Sequence, residues 1–270
     1  MRKRGKKGQI TIFIILAILI IAVIGLFFLF RTQISEKVGI SKPENPQSFL
    51  ETCMQDRVKE AIKLIELHGG YIAPRAPSIY FKFTNQEPID ISYLCYTSDN
   101  YFPCINYEPL LMNHLKNEIK NYISDAVGNC FDELTASLER QGHSVEVSGI
   151  EGDFDVELRN RKVVIKINKE LTLTRADETS KYENFAIEIP SKIYDLATVV
   201  QEIVSVESNN RLDNKFALGG WLKSYGLIKK IGITRAETSD YSEVYSIEDE
   251  ITKEKFYFAI RSKVLSVPGY

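Results

Sequence analysis

The sequence predicts an α+β fold: an antiparallel sheet packed with amphipathic helices, placed outside the cytoplasm and preceded by a transmembrane helix. Three observations predict it. Residues 10–30 form one apolar run with Thr11 as its only polar side chain. Two segments of residues 48–142, around 50–67 and 111–138, carry apolar side chains at helical spacing. From residue 143 that spacing gives way to alternation, the period of a half-buried strand.

The apolar run comes first in the chain and sets the topology. A helix of this length spans about 30 Å, the thickness of a bilayer's hydrocarbon core. Ahead of it, residues 1–8 hold five of the chain's 34 Lys and Arg and no acid. Cations stay on the cytoplasmic side, so the C-terminal part is expected outside the cell, held by a single pass through the membrane. A cleavable secretory signal would have a shorter apolar core followed by small residues, whereas this one ends Leu29-Phe30-Arg31. From Gln9 onward 29 cations face 36 acids, a net of about −7. An acidic exported part lacks the concentrated basic face that nucleic acid requires, so no nucleic-acid partner is expected. The partners expected are the lipid bilayer and other surface proteins, with self-assembly through the apolar helix as one route.

The junction Lys6-Lys7-Gly8-Gln9-Ile10-Thr11-Ile12-Phe13 resembles the processing site of archaeal type IV pilin-like precursors, the class III signal peptides. The resemblance covers about the first thirty residues. It implies cutting after Gly8, with Lys7, Gly8 and Gln9 as the processing site and a mature chain that begins at Gln9 and keeps its apolar helix. It further implies a structural or adhesive protein of the cell surface or a pilus. Phe13 stands where that class carries Glu, the acid that pairs with a neighbouring subunit's amino terminus.

On this basis the chain divides into a leader at 1–8, a membrane helix at 9–31 and a linker at 32–47. A helical, cysteine-bearing subdomain at 48–142 and a β-rich α+β subdomain at 143–270 complete it. In the linker, Gly39, Pro43 and Pro46 should interrupt any helix. Ser48-Phe49-Leu50-Glu51 has the form of a capping box, and Gly69-Gly70 the form of a C-terminal stop. Leu50, Cys53, Met54, Val58, Ala61, Leu64, Ile65 and Leu67 lie on one side of the helix between them. A second helix is expected from Glu108-Pro109 to about Arg140, with Leu111, Leu115, Ile119, Tyr122, Ile123, Val127, Cys130, Phe131, Leu134 and Leu138 in its stripe. A third follows Pro190-Ser191 and ends at Asn209-Asn210. Between and after the helices, strands are expected at 79–83, 89–94, 145–147, 154–158, 163–167, 171–173, 185–189, 227–233, 244–247 and 256–260. Arg159-Asn160-Arg161 supplies a hairpin turn.

Four cysteines, Cys53, Cys95, Cys104 and Cys130, lie beyond the apolar run. An even number in a disulfide-permissive location favours two bridges. Three pairings are possible. The polar loop between Cys95 and Cys104 favours joining those two and leaves Cys53 with Cys130. Neither a Cys-x-x-Cys pair nor a histidine at ligand spacing supports a metal site.

The chemistry expected beyond this is sparse. Three histidines, His68, His114 and His143, are scattered, and His68 and His114 read as a helix-end group and a packed imidazole. Asp153, Asp155 and Glu157 occupy alternate strand positions, which a cation site or a glycosidase could use but which a solvated strand face explains. No phosphate loop, dinucleotide fingerprint or nucleophile elbow is present, so neither a catalytic residue nor a cofactor is assigned. Tyr71, Tyr80, Phe81, Phe83, Tyr93, Tyr96, Tyr101, Phe102 and Tyr107 crowd residues 71–107. They form either core packing or the face of an anchored ligand-binding module.

Overall fold

The structure is a computed structural model that describes residues 20, 45–84, 87–149, 152–176, 178–209, 220, 223–224 and 229–262. The chain divides into two units between Glu44 and Asn45, and the second unit, Asn45–Tyr270, holds both sheets and the helices packed on them. The processing site at Lys7, Gly8 and Gln9, the apolar run except Ile20, and nearly all of the linker lie outside the described residues. Among the described residues, no helix is long and apolar enough to cross a membrane.

The second unit is α+β. Helix α1 (Pro46–Leu67) leads into strands β1 (Ser78–Phe81), β2 (Ile89–Tyr96) and β3 (Ile105–Asn106), followed by helix α2 (Leu111–Arg140). Strands β4 (Ser144–Ser148), β5 (Phe154–Arg159), β6 (Lys162–Arg175) and β7 (Glu178–Pro190) precede helix α3 (Ile193–Asn209). Strands β8 (Ile231–Glu237), β9 (Glu243–Asp249) and β10 (Lys255–Arg261) complete the series.

Both long helices begin elsewhere than their sequence signals indicate. Helix α1 starts at Pro46, inside the expected linker, with Asn45 as its cap: Asn45 Oδ1 accepts from Gln47 N at 3.1 Å. Asn is a stronger cap than a Ser whose neighbours are already helical, and Pro suits the first turn because it has no N–H to satisfy. Ser48 is an interior residue whose carbonyl accepts from Thr52 Oγ1. Helix α2 starts at Leu111, so Pro109 lies in the turn before it rather than in its first turn. At the far end of α1, Gly69 and Gly70 take positive φ, and Gly70 N returns to Ile65 O at 2.9 Å. A Cβ on Gly69 would stand 2.7 Å from Ser92 O, so the turn fits only glycine and lets β2 come close.

The strands form two sheets. The first runs β1-β2-β10-β9-β8, with β3 on the end of β2. It joins strands from both sides of residue 142, where the sequence divides into two subdomains. Its pairs are antiparallel except β2 with β10, which is parallel. In the second sheet β7 runs the length of β6, while β5 and β4 pair with successive halves of β6. The expected strands at 163–167 and 171–173 are one strand, carried through a register shift between Ile167 and Glu170. Asn160 and Arg161 make the β5–β6 turn, Arg161 with φ of 68°. The strand expected at 227–233 begins instead at Ile231, after Lys230 at φ of 60°.

One core fills the space between helices and sheets. Leu50, Met54, Val58 and Ile65 of α1 meet Leu115, Ile119, Ile123 and Leu134 of α2. The inward side chains of both sheets, among them Ile165, Ile187, Phe256 and Phe258, belong to the same core. Alternation on β10 sends Tyr257 and Ala259 to the opposite face, where they pack with Ile91, Tyr93 and Val244 beneath Phe81 and Phe83.

Glu66 is the odd member of this interior. It is buried on the last turn of α1, and its Oε1 has no hydrogen-bond partner among the described residues. Burial, followed by the nearby charge of Glu254, pushes its carboxyl well above the ordinary range. A carboxyl whose folded pKa is raised stabilises the fold at low pH, and that stability is lost as pH rises toward the folded value. Glu66→Gln keeps the neutral shape and removes the ionisation. It is expected to raise Tm at pH 7 by about 3 °C or more, equivalent to about 1 kcal/mol, and to change Tm little at pH 4. Thermal melts at the two pH values measure the difference.

Candidate functional site

The Gly69-Gly70 turn delivers the chain directly into a cluster that the sequence leaves scattered. The Tyr71 ring is buried and its hydroxyl donates to Glu108 Oε1 at 2.7 Å. The other oxygen of Glu108 lies 3.5 Å from His114 Nδ1, on the first turn of α2. His114 Nε2 is 2.9 Å from the Gly70 carbonyl, an acceptor only, so Nε2 carries a proton. The imidazole stands edge-on to the Tyr71 ring with centroids 4.5 Å apart. Glu118 of α2 accepts from Ile72 N at 2.8 Å, and His68 Nδ1 donates to Ile72 O at 3.0 Å. The Glu118 and His114 bonds tie the 68–72 segment to α2, and the His68 bond closes the segment on itself.

Arg75 comes next in the chain, its backbone N–H held by Ser92 Oγ at 2.8 Å. Its guanidinium stands 5.9 Å from the centre of the Tyr71 ring and 4.0 Å from Glu108, and its side chain is 71% exposed. Beyond it lies the cis Ala76–Pro77 bond, and Pro77 O accepts from Tyr93 N at 3.0 Å. Tyr107, whose N–H donates to Leu94 O, completes a cleft of about 170 Å³. Its walls are Tyr71, Arg75, Ala76, Pro77, Tyr93 and Tyr107.

Electrostatically two of the cleft's phenols, Tyr71 and Tyr93, are held protonated. Burial, then the hydrogen bond and charge of Glu108, drive the Tyr71 hydroxyl above its ordinary value. Burial also raises that of Tyr93, whose hydroxyl donates to Ser242 Oγ at 2.8 Å. Both groups are therefore donors to protein partners rather than nucleophiles or bases. The arrangement suits binding: aromatic walls and one cation at the rim.

The aromatic residues of 71–107 thus fall into three overlapping groups, with Tyr93 shared between the cleft and the second-face cluster. Tyr71, Tyr93 and Tyr107 line the cleft. Phe81, Phe83 and Tyr96 pack on the second face of the first sheet. Tyr80, Tyr101 and Phe102 are exposed. Glu108 and Arg75 belong to the site without any sequence signal to single them out, and His114 serves it as the packed, hydrogen-bonded imidazole.

The cysteines are brought together in two pairs. Cys53 on α1 is joined to Cys130 on α2, with Cα atoms 5.9 Å apart, and Cys95 on β2 to Cys104, 5.3 Å apart. The three carboxylates of the β5 region do not converge. Glu157 is bound by Lys166 and Arg159, Asp153 accepts from Asn168 Nδ2, and Asp155 is exposed. Among the described residues, no three His, Cys, Asp or Glu side chains are grouped to hold a metal ion.

No protein-family model, curated protein or solved structure matches the chain.

Proposed function

We propose that this chain is a single-pass, membrane-anchored protein of the type IV pilin-like class, presenting its α+β unit on the outer face of the cell. The apolar run at 10–30 behind five cations carries the reading, because it both fits a bilayer and orients the chain. Two disulfides in the folded unit agree with an oxidising location. Its role is structural or adhesive: the helix holds the lipid bilayer, and the folded unit meets other surface proteins or cells. Mass spectrometry of the protein from its native membrane is expected to find an amino terminus at Gln9. A chain that retains Met1 would overturn the pilin-like processing while leaving a plain anchor.

A second reading is favoured by the cleft of Tyr71, Arg75, Tyr93 and Tyr107: the exported unit is a ligand-binding module. The two readings are compatible, since an anchored protein can present a binding cleft.

A further inference from the structure

We infer that the cleft takes an acidic pyranose, a sugar of the uronate class, and this rests on reading the cleft as a binding site. The volume of about 170 Å³ suits one ring and not an extended chain. Tyrosine rings form its walls, and flat aromatic faces match the C–H face of a sugar while excluding water from it. Tyr71 donates its proton to Glu108, which leaves its phenol oxygen as an acceptor beside Arg75, whereas the Tyr93 hydroxyl is buried against Ser242 and Tyr93 contributes only its ring.

Arg75 sets the charge of the ligand. It is the cation among the residues that line the cleft, and its 4.0 Å approach to Glu108 is longer than a hydrogen bond. Its planar fork is thus able to take a carboxylate with two parallel N–H donors. The Ser92 bond to its backbone and the Tyr71 ring beside its guanidinium hold it at the rim. A ring carboxylate would reach Arg75 while the ring itself lay between Tyr71 and Tyr107.

Saturation-transfer NMR and calorimetry on the full chain, in a detergent without a sugar headgroup, test this. The probes are free D-glucuronate, methyl β-D-glucuronide, methyl β-D-glucoside and an acidic tripeptide. Binding of either acidic sugar, with the glucoside about tenfold weaker or more, supports the proposal. The methyl glycoside binding more tightly than the free acid would point to a glycan, and the reverse to a free sugar acid. Arg75 is exposed, so Arg75→Gln should leave the thermal melt unchanged and abolish the preference for the acid. Equal binding of glucoside and glucuronide would overturn the acidic ligand and keep the cleft as a binding site. Tripeptide binding alone would overturn the sugar in favour of a peptide end. Saturation transfer from none of the four would overturn both the ligand and the reading beneath it.

Discussion

Replacing Cys53 and Cys130 together with alanine is expected to lower the stability of the folded unit by about 4 kcal/mol. The two are 77 residues apart, so their bridge removes far more freedom from the unfolded chain than the bridge between Cys95 and Cys104, 9 residues apart. On the same loop-closure argument the second pair contributes about 3 kcal/mol. For a unit of this size the first loss lowers Tm by about 8–16 °C. Cys53 is only partly buried, and Cys130 packs on a core with many other members, so cavity formation adds little. Thermal melts of the two double variants check the order: the 53/130 variant should melt lower. A 53/130 variant melting like the unaltered protein would show that the bridge is not a structural staple.

Asp249→Ala should be comparably damaging, at about 3–5 kcal/mol. This side chain is 1% exposed at the end of β9, where it organises the turn into β10. Its Oδ1 accepts from Ile251 N at 3.0 Å, Thr252 N at 2.8 Å and Thr252 Oγ1 at 3.2 Å. Its Oδ2 lies 3.0 Å from Lys192 Nζ, just ahead of α3. Alanine would leave the turn amides without their acceptor and a largely buried ammonium without its counter-charge. Asp249→Asn keeps the Oδ1 acceptor for the turn but sets an amide N–H against the Lys192 ammonium, so it should cost less than alanine without being neutral.

The pH dependence of this site runs opposite to that of Glu66. Burial raises the Asp249 carboxyl, but the amide of Thr252 and the ammonium of Lys192 outweigh it and hold the carboxyl below its ordinary value. A depressed carboxyl contributes stability at neutral pH that is lost as pH falls through the folded value. Below about pH 4 the unaltered protein should therefore lose stability faster than Asp249→Asn. Urea titrations at pH 7 and pH 3 with unchanged m-values would measure it.

Residue patterns foretell the helices better than they foretell the sheets. The stripe from Leu115 to Leu138 and the Gly69-Gly70 stop act within a few residues, so they are legible locally. Helix starts are less so, because Asn45-Pro46 and Ser48-Glu51 are competing signals and only geometry chooses between them. Strand β6 reads as two strands because Asn168-Lys169-Glu170 breaks the alternation, and the structure absorbs that break in a register shift. The parallel pairing of Tyr93 with Ala259 joins residues more than 160 apart, which no local period can show.

The cleft is half visible for a similar reason. The density of tyrosines between 71 and 107 marks the region, but Arg75, Glu108 and His114 carry ordinary side chains at no special spacing. Only the fold brings Gly70, Glu108 and His114 around Tyr71. Their relation is one of burial and hydrogen bonding, which the residue order does not encode.

Protease treatment of intact cells asks whether the folded unit lies outside the membrane, as proposed from the apolar run and the cations before it. A protease unable to enter the cell is expected to remove residues 45–270 while a cytoplasmic control protein survives, and prior reduction of the disulfides should speed the cleavage. Full-length protein surviving on intact cells, under reducing conditions as well, and cut only after the membrane is opened would contradict it.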